Sequence, residues 1–288
     1  MRGSTGPVPS AESPHPSRLV RSIEVKIQLR GYQVVLTSTS NESRHALLLR
    51  RVDGVVQRFY APDQDPYRHF EREIAAFLKP GDTLVDAGCG RCAPVLSLFE
   101  TRVAKAIGTD MVRFDAPRCA GGLILFNSNL AEIPLRTGSV DVVISRSVLE
   151  HIEDPITVYK EVHRILKPGG KFIFITPNVW SYPIIAARII PNRFHAAIVH
   201  WAEGRPEDDT FRTCYRSNSL RAIRKLAALS GFEIDSLRYL SMLPHYLLFH
   251  PLAFLIGVAY ERAITRIRLM RHLQHWVLGV LTKEGERV

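Results

Sequence analysis

Between residues 66 and 178 the chain alternates short apolar runs with stretches in which apolar residues recur at helical spacing. The apolar runs predict buried strands, and the helical spacing predicts amphipathic helices between them. Strands that alternate with helices favour an α/β fold with a mainly parallel, doubly wound sheet. The predicted strands cover 83–85, 103–109, 123–126, 140–145, 171–176, 232–239 and 276–283, and the predicted helices include 67–78, 156–166 and 219–229.

The N-terminal part of the chain has a different pattern. Residues 22–60 alternate apolar and polar positions in short bursts, which predicts a small β-meander. We therefore expect a β-rich N-terminal extension at 19–62 before a main domain at 63–288. Residues 1–18, rich in Ser, Pro and Gly, predict a disordered tail.

Composition narrows the class of protein. A chain of 288 residues with 46% hydrophobic and 23% charged residues is typical of a globular protein. No apolar core follows Met1 and Arg2, as a secretory signal would need, so a cytoplasmic location is expected. The net charge of +10 permits an anionic partner. The sequence has no long run of basic residues that would predict nucleic-acid binding. Four cysteines are too few for a disulfide framework.

The central feature of the chain is the sequence V-D-A-G-C-G-R-C-A at 85–93. It follows the first predicted strand and precedes a helix predicted from Pro94 to Phe99, so strand, turn and helix would form a ligand cradle. Gly88 and Gly90 permit positive φ angles and lack the Cβ atoms that would hold a ligand off the backbone. The turn therefore predicts a site for a nucleotide-like ligand.

Two ligands fit this turn. Gly88-x-Gly90-x-x-Ala93, followed about twenty residues later by Asp110, satisfies the dinucleotide fingerprint of NAD-dependent enzymes. Asp86, however, would repel a pyrophosphate, and its carboxylate suits the ammonium and sulfonium charges of S-adenosylmethionine. The charge of Asp86 favours the methyl donor.

The same turn contains Cys89-x-x-Cys92, which could serve as a redox pair or as half of a zinc site. No second CxxC or Cys/His pair with ligand spacing accompanies it. Small residues that fill a tight turn are the favoured interpretation, and no metal is expected.

Several motifs follow one another along the main domain. They are Asp86-Ala87-Gly88-Cys89-Gly90, Asp110, Glu132-Ile133-Pro134, Ser139-Val140-Asp141-Val142-Val143, Leu149-Glu150-His151 and Leu166-Lys167-Pro168-Gly169-Gly170-Lys171. Together they resemble the class I S-adenosylmethionine-dependent methyltransferases, in particular the UbiE/UbiG-like (type 11) branch. The resemblance covers residues 70–178. It implies a Rossmann-like, seven-stranded sheet with an antiparallel closing strand, and S-adenosylmethionine as cofactor.

The resemblance also implies binding roles. These fall to Asp86, Gly88 and Gly90 for the methionine end of the donor, Asp110 for the ribose hydroxyls, Met111 for one adenine face, and Asn129 with the Leu130 backbone for the adenine edge. Two residues depart from the family pattern: Cys92 replaces the third glycine, and Asn129 stands where an aspartate is common. The Asn129 carbonyl can still accept a hydrogen bond from the adenine amino group. Ser147 occupies the first carboxylate position of the metal arrangement in UbiG-like relatives, so metal dependence is not expected.

His151 is the candidate general base. The segment after the fourth strand faces the methyl group in the resembling family, and the pKa range of histidine suits proton removal near neutrality. A purely structural role for Glu150-His151, as a pair that caps or packs, is the alternative. Residues 179–216 are expected to form a lid over the acceptor pocket, where Tyr215 and Asp209 are further catalytic candidates.

Residues 243–272 form an apolar and basic insertion that is predicted to be helical. Its uninterrupted apolar part, 252–260, is too short to cross a bilayer, which needs about twenty residues. Further along, apolar residues share one face, and the arginines stay largely off it, a pattern compatible with lying on an anionic membrane. A helical pair that covers the sheet or the acceptor pocket is the alternative.

These observations predict methyl transfer to a small-molecule, glycan or lipid-linked acceptor, with oxygen as the expected methylated atom. An NAD-dependent oxidoreductase is the alternative from another reaction class. A membrane-associated, non-catalytic protein with the same fold is the non-enzyme alternative. The expected location is cytoplasmic, with peripheral contact at the inner face of the membrane.

Overall fold

The computed structural model describes residues 23–29, 32–38, 64–114, 122–189, 212–244, 247 and 251–285. The predicted tail at 1–18, Asp209 and most of the predicted lid lie outside these residues. The predicted domain boundaries at 19–62 and 63–288 stay predictions.

A seven-stranded sheet forms the centre of the main domain. The strands in the described ranges are β1 (Ile23–Leu29), β2 (Tyr32–Ser38), β3 (Thr83–Ala87), β4 (Lys105–Asp110), β5 (Ile124–Asn127), β6 (Val140–Arg146), β7 (Leu166–Pro177), β8 (Phe232–Leu240) and β9 (Trp276–Lys283). In the sheet they lie in the order β5-β4-β3-β6-β7-β9-β8, and β9 is antiparallel to both of its neighbours. The remaining neighbours are parallel. The predicted α/β fold with an antiparallel closing strand is confirmed.

Strands β1 and β2 form an antiparallel hairpin, joined across Leu29 and Tyr32. The hairpin covers the first part of the predicted β-meander. The other predicted strands of that extension lie outside the described residues.

Among the residues described, the α-helices are α1 (Pro66–Phe77), α2 (Pro155–Ile165), α3 (Tyr182–Ile189), α4 (Leu220–Leu229) and α5 (Pro251–Arg266). Helix α1 begins where the Asp65 side chain accepts a hydrogen bond from Tyr67 N at 2.8 Å, and Ser219 caps α4 in the same way. Proline at the first position of α1 and α2 needs no N–H partner there.

The two faces of the sheet bury different sets of apolar side chains. Alternate residues of β7 point to opposite faces, so that Phe172 belongs to one core layer and Ile173 to the other. Tyr159 of α2 is fully buried in the first layer, and Phe70 of α1 is fully buried in the second. Helices on both faces leave the carboxyl ends of the parallel strands as the edge where ligands bind in such sheets.

The helix predicted from Pro94 to Phe99 is wrong. Two three-residue 3₁₀ turns, Leu96–Leu98 and Glu100–Arg102, stand in its place. Ala93 has a φ of 44°, which takes the chain out of the right-handed helical region, and Pro94 has no N–H to donate. Leu96 and Phe99 are nonetheless buried, so tertiary packing holds the segment in place.

The start of β7 also differs from the prediction. Helix α2 ends at Ile165, as the Lys167-Pro168-Gly169-Gly170 signal predicts, but the strand begins at Leu166 instead of Lys171. Its pairing with β6 jumps from Val140↔Leu166 to Val142↔Lys171, so the Pro-Gly-Gly segment forms an irregularity within the strand. Glycine at 169, with a φ of 77°, permits this bend.

Candidate functional site

The turn after β3 is fixed by the strands on both sides of it. Gly88 N donates a hydrogen bond to the Thr109 carbonyl of β4 at 2.8 Å, and the Ser145 hydroxyl of β6 donates to the Ala87 carbonyl at 2.9 Å. Gly88 has a φ of 86°, and a Cβ at this position would lie 2.2 Å from Val148 Cγ2. The turn therefore requires glycine at 88 for its backbone conformation and for packing.

Asp110, at the carboxyl end of β4, is bound to the same turn. Gly90 N donates to Asp110 Oδ2 at 2.7 Å, and Val112 N donates to Oδ1 at 3.1 Å. Each carboxylate oxygen can accept a further hydrogen bond, so ribose hydroxyls are within its capacity. A Cβ on Gly90 would meet no atom within 4 Å, which places open space directly over this glycine.

Asp86 is the buried charge of the cradle. Asp86 is the last residue but one of β3, and its side chain is only 2% exposed. Burial raises the pKa of its carboxyl group to about 7, although the positive charge of Arg146 acts to lower it, and Asp110 adds to the rise. A carboxylate that is costly to ionise in the empty protein is stabilised when a cationic group lies beside it. The site thus suits a ligand with an ammonium or sulfonium charge.

The residues predicted for the adenine lie at the ends of β4 and β5. Met111, the residue after Asp110, is 72% exposed and is not part of the core. Asn129 is exposed, and its side-chain carbonyl accepts a hydrogen bond from Ala131 N at 3.0 Å. Leu130 is buried, so its backbone is the part that can contact a ligand. Asn129 also lines an open cavity of about 580 Å³.

Glu150 lies at the centre of a buried hydrogen-bond chain. It is 5% exposed, and burial raises its pKa to about 7. The Thr176 hydroxyl donates to Glu150 Oε2 at 3.1 Å, and the Asn218 amide donates to Thr176 Oγ1 at 2.6 Å. The Glu150 carbonyl also accepts from the backbone N–H groups of Cys214 and Tyr215. These contacts fit the structural alternative for Glu150, as the anchor of the C-terminal end of the predicted lid.

His151 is half-buried beyond the carboxyl end of β6, the strand next to β3. Its Nδ1 lies 3.1 Å from the Arg212 carbonyl oxygen. Since a carbonyl only accepts hydrogen bonds, Nδ1 carries the proton in the neutral ring, and Nε2 keeps its lone pair. Tyr215, with a φ of 51°, is joined to the residue before His151 through its backbone.

No sequence motif assigns a binding role to Arg146 or Tyr67, yet both lie at this edge. The Arg146 guanidinium carbon is 5.0 Å from the centre of the Tyr67 ring. The Tyr67 ring in turn packs edge-on against Trp276, with 5.3 Å between ring centres. These residues come from β6, α1 and β9, so no local sequence signal connects them.

Comparisons with known proteins agree with the sheet order and the turn. A family model described as "Methyltransferase domain" matches residues 85–174. A probable S-adenosylmethionine-dependent methyltransferase of Mycolicibacterium smegmatis is 34% identical over 131 residues, which cover 43% of this chain and 48% of that protein. The ubiquinone biosynthesis O-methyltransferase of Pseudomonas paraeruginosa is 29% identical over 188 residues, 58% of this chain and 72% of that protein.

A solved structure is similar in fold. Geranyl diphosphate C-methyltransferase from Streptomyces coelicolor A3(2), in complex with Mg²⁺, geranyl diphosphate and S-adenosyl-L-homocysteine, has a TM-score of 0.50 at 18% identity. The match covers 85% of this chain and 84% of that one.

The sheet order and the glycine turn define a methyltransferase-type α/β domain. More particularly, residues 85–174 match a methyltransferase domain, and the chain is similar to class I S-adenosylmethionine-dependent methyltransferases, which supports S-adenosylmethionine as the cofactor of this domain. The chain spans about half the length of the mycobacterial relative.

The structure also disfavours the NAD alternative on physical grounds. Dinucleotide folds place the pyrophosphate at the N-terminus of the helix after the glycine turn. Here a 3₁₀ turn of three residues, Leu96–Leu98, takes the place of that helix. The antiparallel β9 between β7 and β8 also departs from the 3-2-1-4-5-6 strand order typical of the dinucleotide fold.

Within the described ranges, no helix combines the length and apolar character needed to cross a membrane.

Proposed function

We propose that this protein transfers a methyl group from S-adenosylmethionine to a hydroxyl oxygen of a small-molecule or lipid-linked acceptor. The observation that carries the proposal is the cradle itself: buried Asp86 beside an open glycine turn that Asp110 holds in place. The similarity to a ubiquinone biosynthesis O-methyltransferase supports oxygen as the methylated atom.

The donor-site roles divide between charge and shape. Asp86 would pair with the ammonium group of the methionine end, and Gly88 and Gly90 would let the ligand approach the backbone. Asp110 would accept hydrogen bonds from the ribose hydroxyls with the lone pairs that Gly90 N and Val112 N leave unused.

The remaining donor-site roles concern the adenine. Met111 would cover one adenine face, and Asn129 with the Leu130 backbone would bind its edge. Asn129 can do so because its carbonyl oxygen accepts one hydrogen bond, from Ala131 N, and has a second lone pair.

The proposed reaction requires mainly that the protein position the acceptor hydroxyl and remove its proton. S-adenosylmethionine supplies an electrophilic methyl group carried on a sulfonium. The protein aligns the acceptor oxygen with that group and excludes water. His151 Nε2 would accept the hydroxyl proton, while the contact between its Nδ1 and the Arg212 carbonyl orients the ring. Tyr215, and Asp209 outside the described residues, are proposed to line the acceptor side.

Labelled methyl transfer tests the proposed reaction. The purified protein is incubated with S-adenosyl-[methyl-¹⁴C]methionine and with aqueous and organic extracts of the source cells. We expect label in one product whose mass rises by a CH₂ unit and whose NMR spectrum shows an O-methyl group. An N- or C-methyl product would contradict the oxygen assignment, and no incorporation from either extract would contradict the proposed activity.

His151→Ala is expected to lower kcat by about 10²-fold or more with that acceptor, with little change in KM. Activity should recover partly as the pH rises and the acceptor hydroxyl ionises without a base. His272→Ala is the matched control, since His272 also places Nδ1 against a carbonyl, that of Leu269. Full turnover of His151→Ala across the pH range would leave only the structural role for this histidine.

The outward face of α5 supports a proposed site for an anionic membrane surface. Leu252, Leu255 and Ile256 are 60%, 42% and 61% exposed on its first turns. The helix and the 3₁₀ turn that follows it, Arg268–Leu273, also present four exposed arginines, while the one acidic residue between 251 and 275 is buried Glu261. Exposed apolar side chains beside exposed arginines fit anionic headgroups. A second copy of this chain fits less well, because a two-fold interface would bring the arginines together.

Vesicle flotation tests this surface. The protein should float with phosphatidylglycerol vesicles at low salt, less with phosphatidylcholine, and less as salt screens the arginines. Ile256→Asp and Arg268→Glu should each weaken binding by about tenfold. Leu229→Asp, on the exposed face of α4, is the matched control because Leu229 is 57% exposed. Absence of flotation at low salt would contradict the proposed surface.

A further inference from the structure

Arg146 occupies a special position at the edge of the sheet. Asp86 pairs in register with Ile144 of β6, and Arg146 lies two residues further along that strand. It therefore stands level with the glycine turn of the cradle. Its side chain lies on the same face of the sheet as that of Ile144, the face that packs against α1.

The guanidinium of Arg146 packs on an aromatic ring and bonds to no polar group of the described residues. It lies over the Tyr67 ring at 5.0 Å, and no hydrogen bond or ion pair joins it to another residue in the described part of the chain. Arg164 shows the usual pattern for comparison: its guanidinium bonds to Glu161 and to the carbonyls of Ile133 and Leu135. A partly buried guanidinium whose N–H donors meet no acceptor among the described residues is arranged to receive an acceptor group.

The ring beneath Arg146 is itself held in place. Tyr67 packs against Trp276 at 5.3 Å, and its hydroxyl lies 3.5 Å from Ser147 Oγ. Ser147 has a φ of 57°, so the chain turns sharply directly after Arg146. An arginine stacked on a fixed ring keeps its fork in one plane, which lowers the entropy lost when it binds a planar oxyanion.

The two neighbouring strand ends carry opposite charges. Asp86 and Arg146 place a negative and a positive group at neighbouring strand ends, close enough that the charge of Arg146 acts on the Asp86 carboxyl group. The methionine end of S-adenosylmethionine carries an ammonium and a carboxylate, which is the same pair with the signs reversed. An acidic group on the acceptor would be a second anionic partner for the same guanidinium.

We propose that Arg146 binds a carboxylate or phosphate group at the junction of the donor cradle and the acceptor side, with Tyr67 as its support. The inference rests on the proposed donor site. The oxyanion has two sources, the carboxylate of the donor itself or an acid group of the acceptor.

Titration calorimetry separates these sources. One arm compares S-adenosylhomocysteine with 5′-methylthioadenosine, which lacks the amino-acid end. The other arm titrates inorganic diphosphate into protein saturated with S-adenosylhomocysteine. The variants are Arg146→Met, Arg146→Lys and, as a matched loss of one positive charge, Arg221→Met on exposed α4.

If the donor carboxylate is bound, Arg146→Met weakens S-adenosylhomocysteine by about 10- to 100-fold and leaves methylthioadenosine unchanged. If the acceptor supplies the oxyanion, the variant keeps its S-adenosylhomocysteine affinity and loses diphosphate binding that the wild type and Arg221→Met retain. Arg146→Lys should lie between, since it keeps the charge without the fork, and it serves in place of Arg146→Met if that variant does not melt cooperatively.

Unchanged affinity for both S-adenosylhomocysteine and diphosphate in Arg146→Met would overturn the inference and leave the proposed function standing. A wild-type protein that binds no S-adenosylhomocysteine would overturn both.

Discussion

Asp86→Asn is expected to stabilise the ligand-free protein at pH 8 and, at the same time, to weaken S-adenosylhomocysteine binding. The buried carboxyl group has a pKa of about 7, so at pH 8 the folded protein carries an ionised group in a site that disfavours it. Removing that charge should raise the free energy of unfolding by about 2–4 kcal/mol. The ligand's ammonium group loses its partner, and affinity should fall by about 10²-fold.

The pH dependence of this effect has a definite sign. Because folding raises the pKa of Asp86 from 3.8 to about 7, the folded state holds a proton that the unfolded state loses in this interval. The ionisation penalty is absent below pH 4, grows between pH 4 and 7, and is complete above pH 7. Thermal melts of the wild type and the variant should therefore differ most at pH 8 and least near pH 4.

Asp141→Asn is the control for this experiment. Asp141 accepts hydrogen bonds from Lys167 Nζ at 2.7 Å and from Thr83 N at 2.9 Å, so its loss should destabilise the protein without changing ligand affinity. An Asp86→Asn protein that is less stable than the wild type at pH 8 and binds ligand equally well would contradict the role given to Asp86.

Alanine at the two cradle glycines should separate stability from binding. Gly88→Ala places a Cβ 2.2 Å from Val148 Cγ2 and leaves the residue at a φ of 86°, so we expect a loss of about 3 kcal/mol or more. Gly90→Ala meets no atom within 4 Å and should cost about 1 kcal/mol for its φ of 70°. Its methyl group nonetheless enters the open space of the cradle, and S-adenosylhomocysteine affinity should fall by about tenfold or more.

Gly138→Ala provides the matched control for Gly90. Gly138 also has a positive φ, of 65°, and open space around its Cβ position, but it lies in the loop before β6. The same small loss of stability is expected there with unchanged affinity. Chemical denaturation and calorimetry on the three variants give both quantities. Equal affinities for Gly90→Ala and Gly138→Ala would contradict the position of the donor over Gly90.

The sheet could be predicted from the sequence because each strand carries its own local signal. The run at 140–145 and the closing run at 276–283 are apolar and bounded by turns, and both appear as strands, Val140–Arg146 and Trp276–Lys283. The segment after the glycine turn was predicted wrongly as a helix. Its apolar spacing reflects the burial of Leu96 and Phe99, and the segment forms 3₁₀ turns instead of an α-helix.

The candidate site divides in the same way. Asp86, Gly88 and Asp110 could be predicted because each stands at a strand end or in a turn that the sequence marks, although their binding roles stay predictions. Arg146 and Tyr67 could not, since their contact joins β6 to α1 across the folded chain. A single arginine after an apolar run does not indicate which side chains the folded protein places beside it.

The most direct test of the central claim is titration calorimetry of S-adenosylhomocysteine and of NAD with the wild type and Asp110→Ala. We expect tight binding of S-adenosylhomocysteine and none of NAD. Asp110→Ala should weaken binding because it removes the ribose acceptor and the hydrogen bonds from Gly90 N and Val112 N. Binding of NAD alone, or S-adenosylhomocysteine affinity untouched by Asp110→Ala, would contradict the proposed donor site.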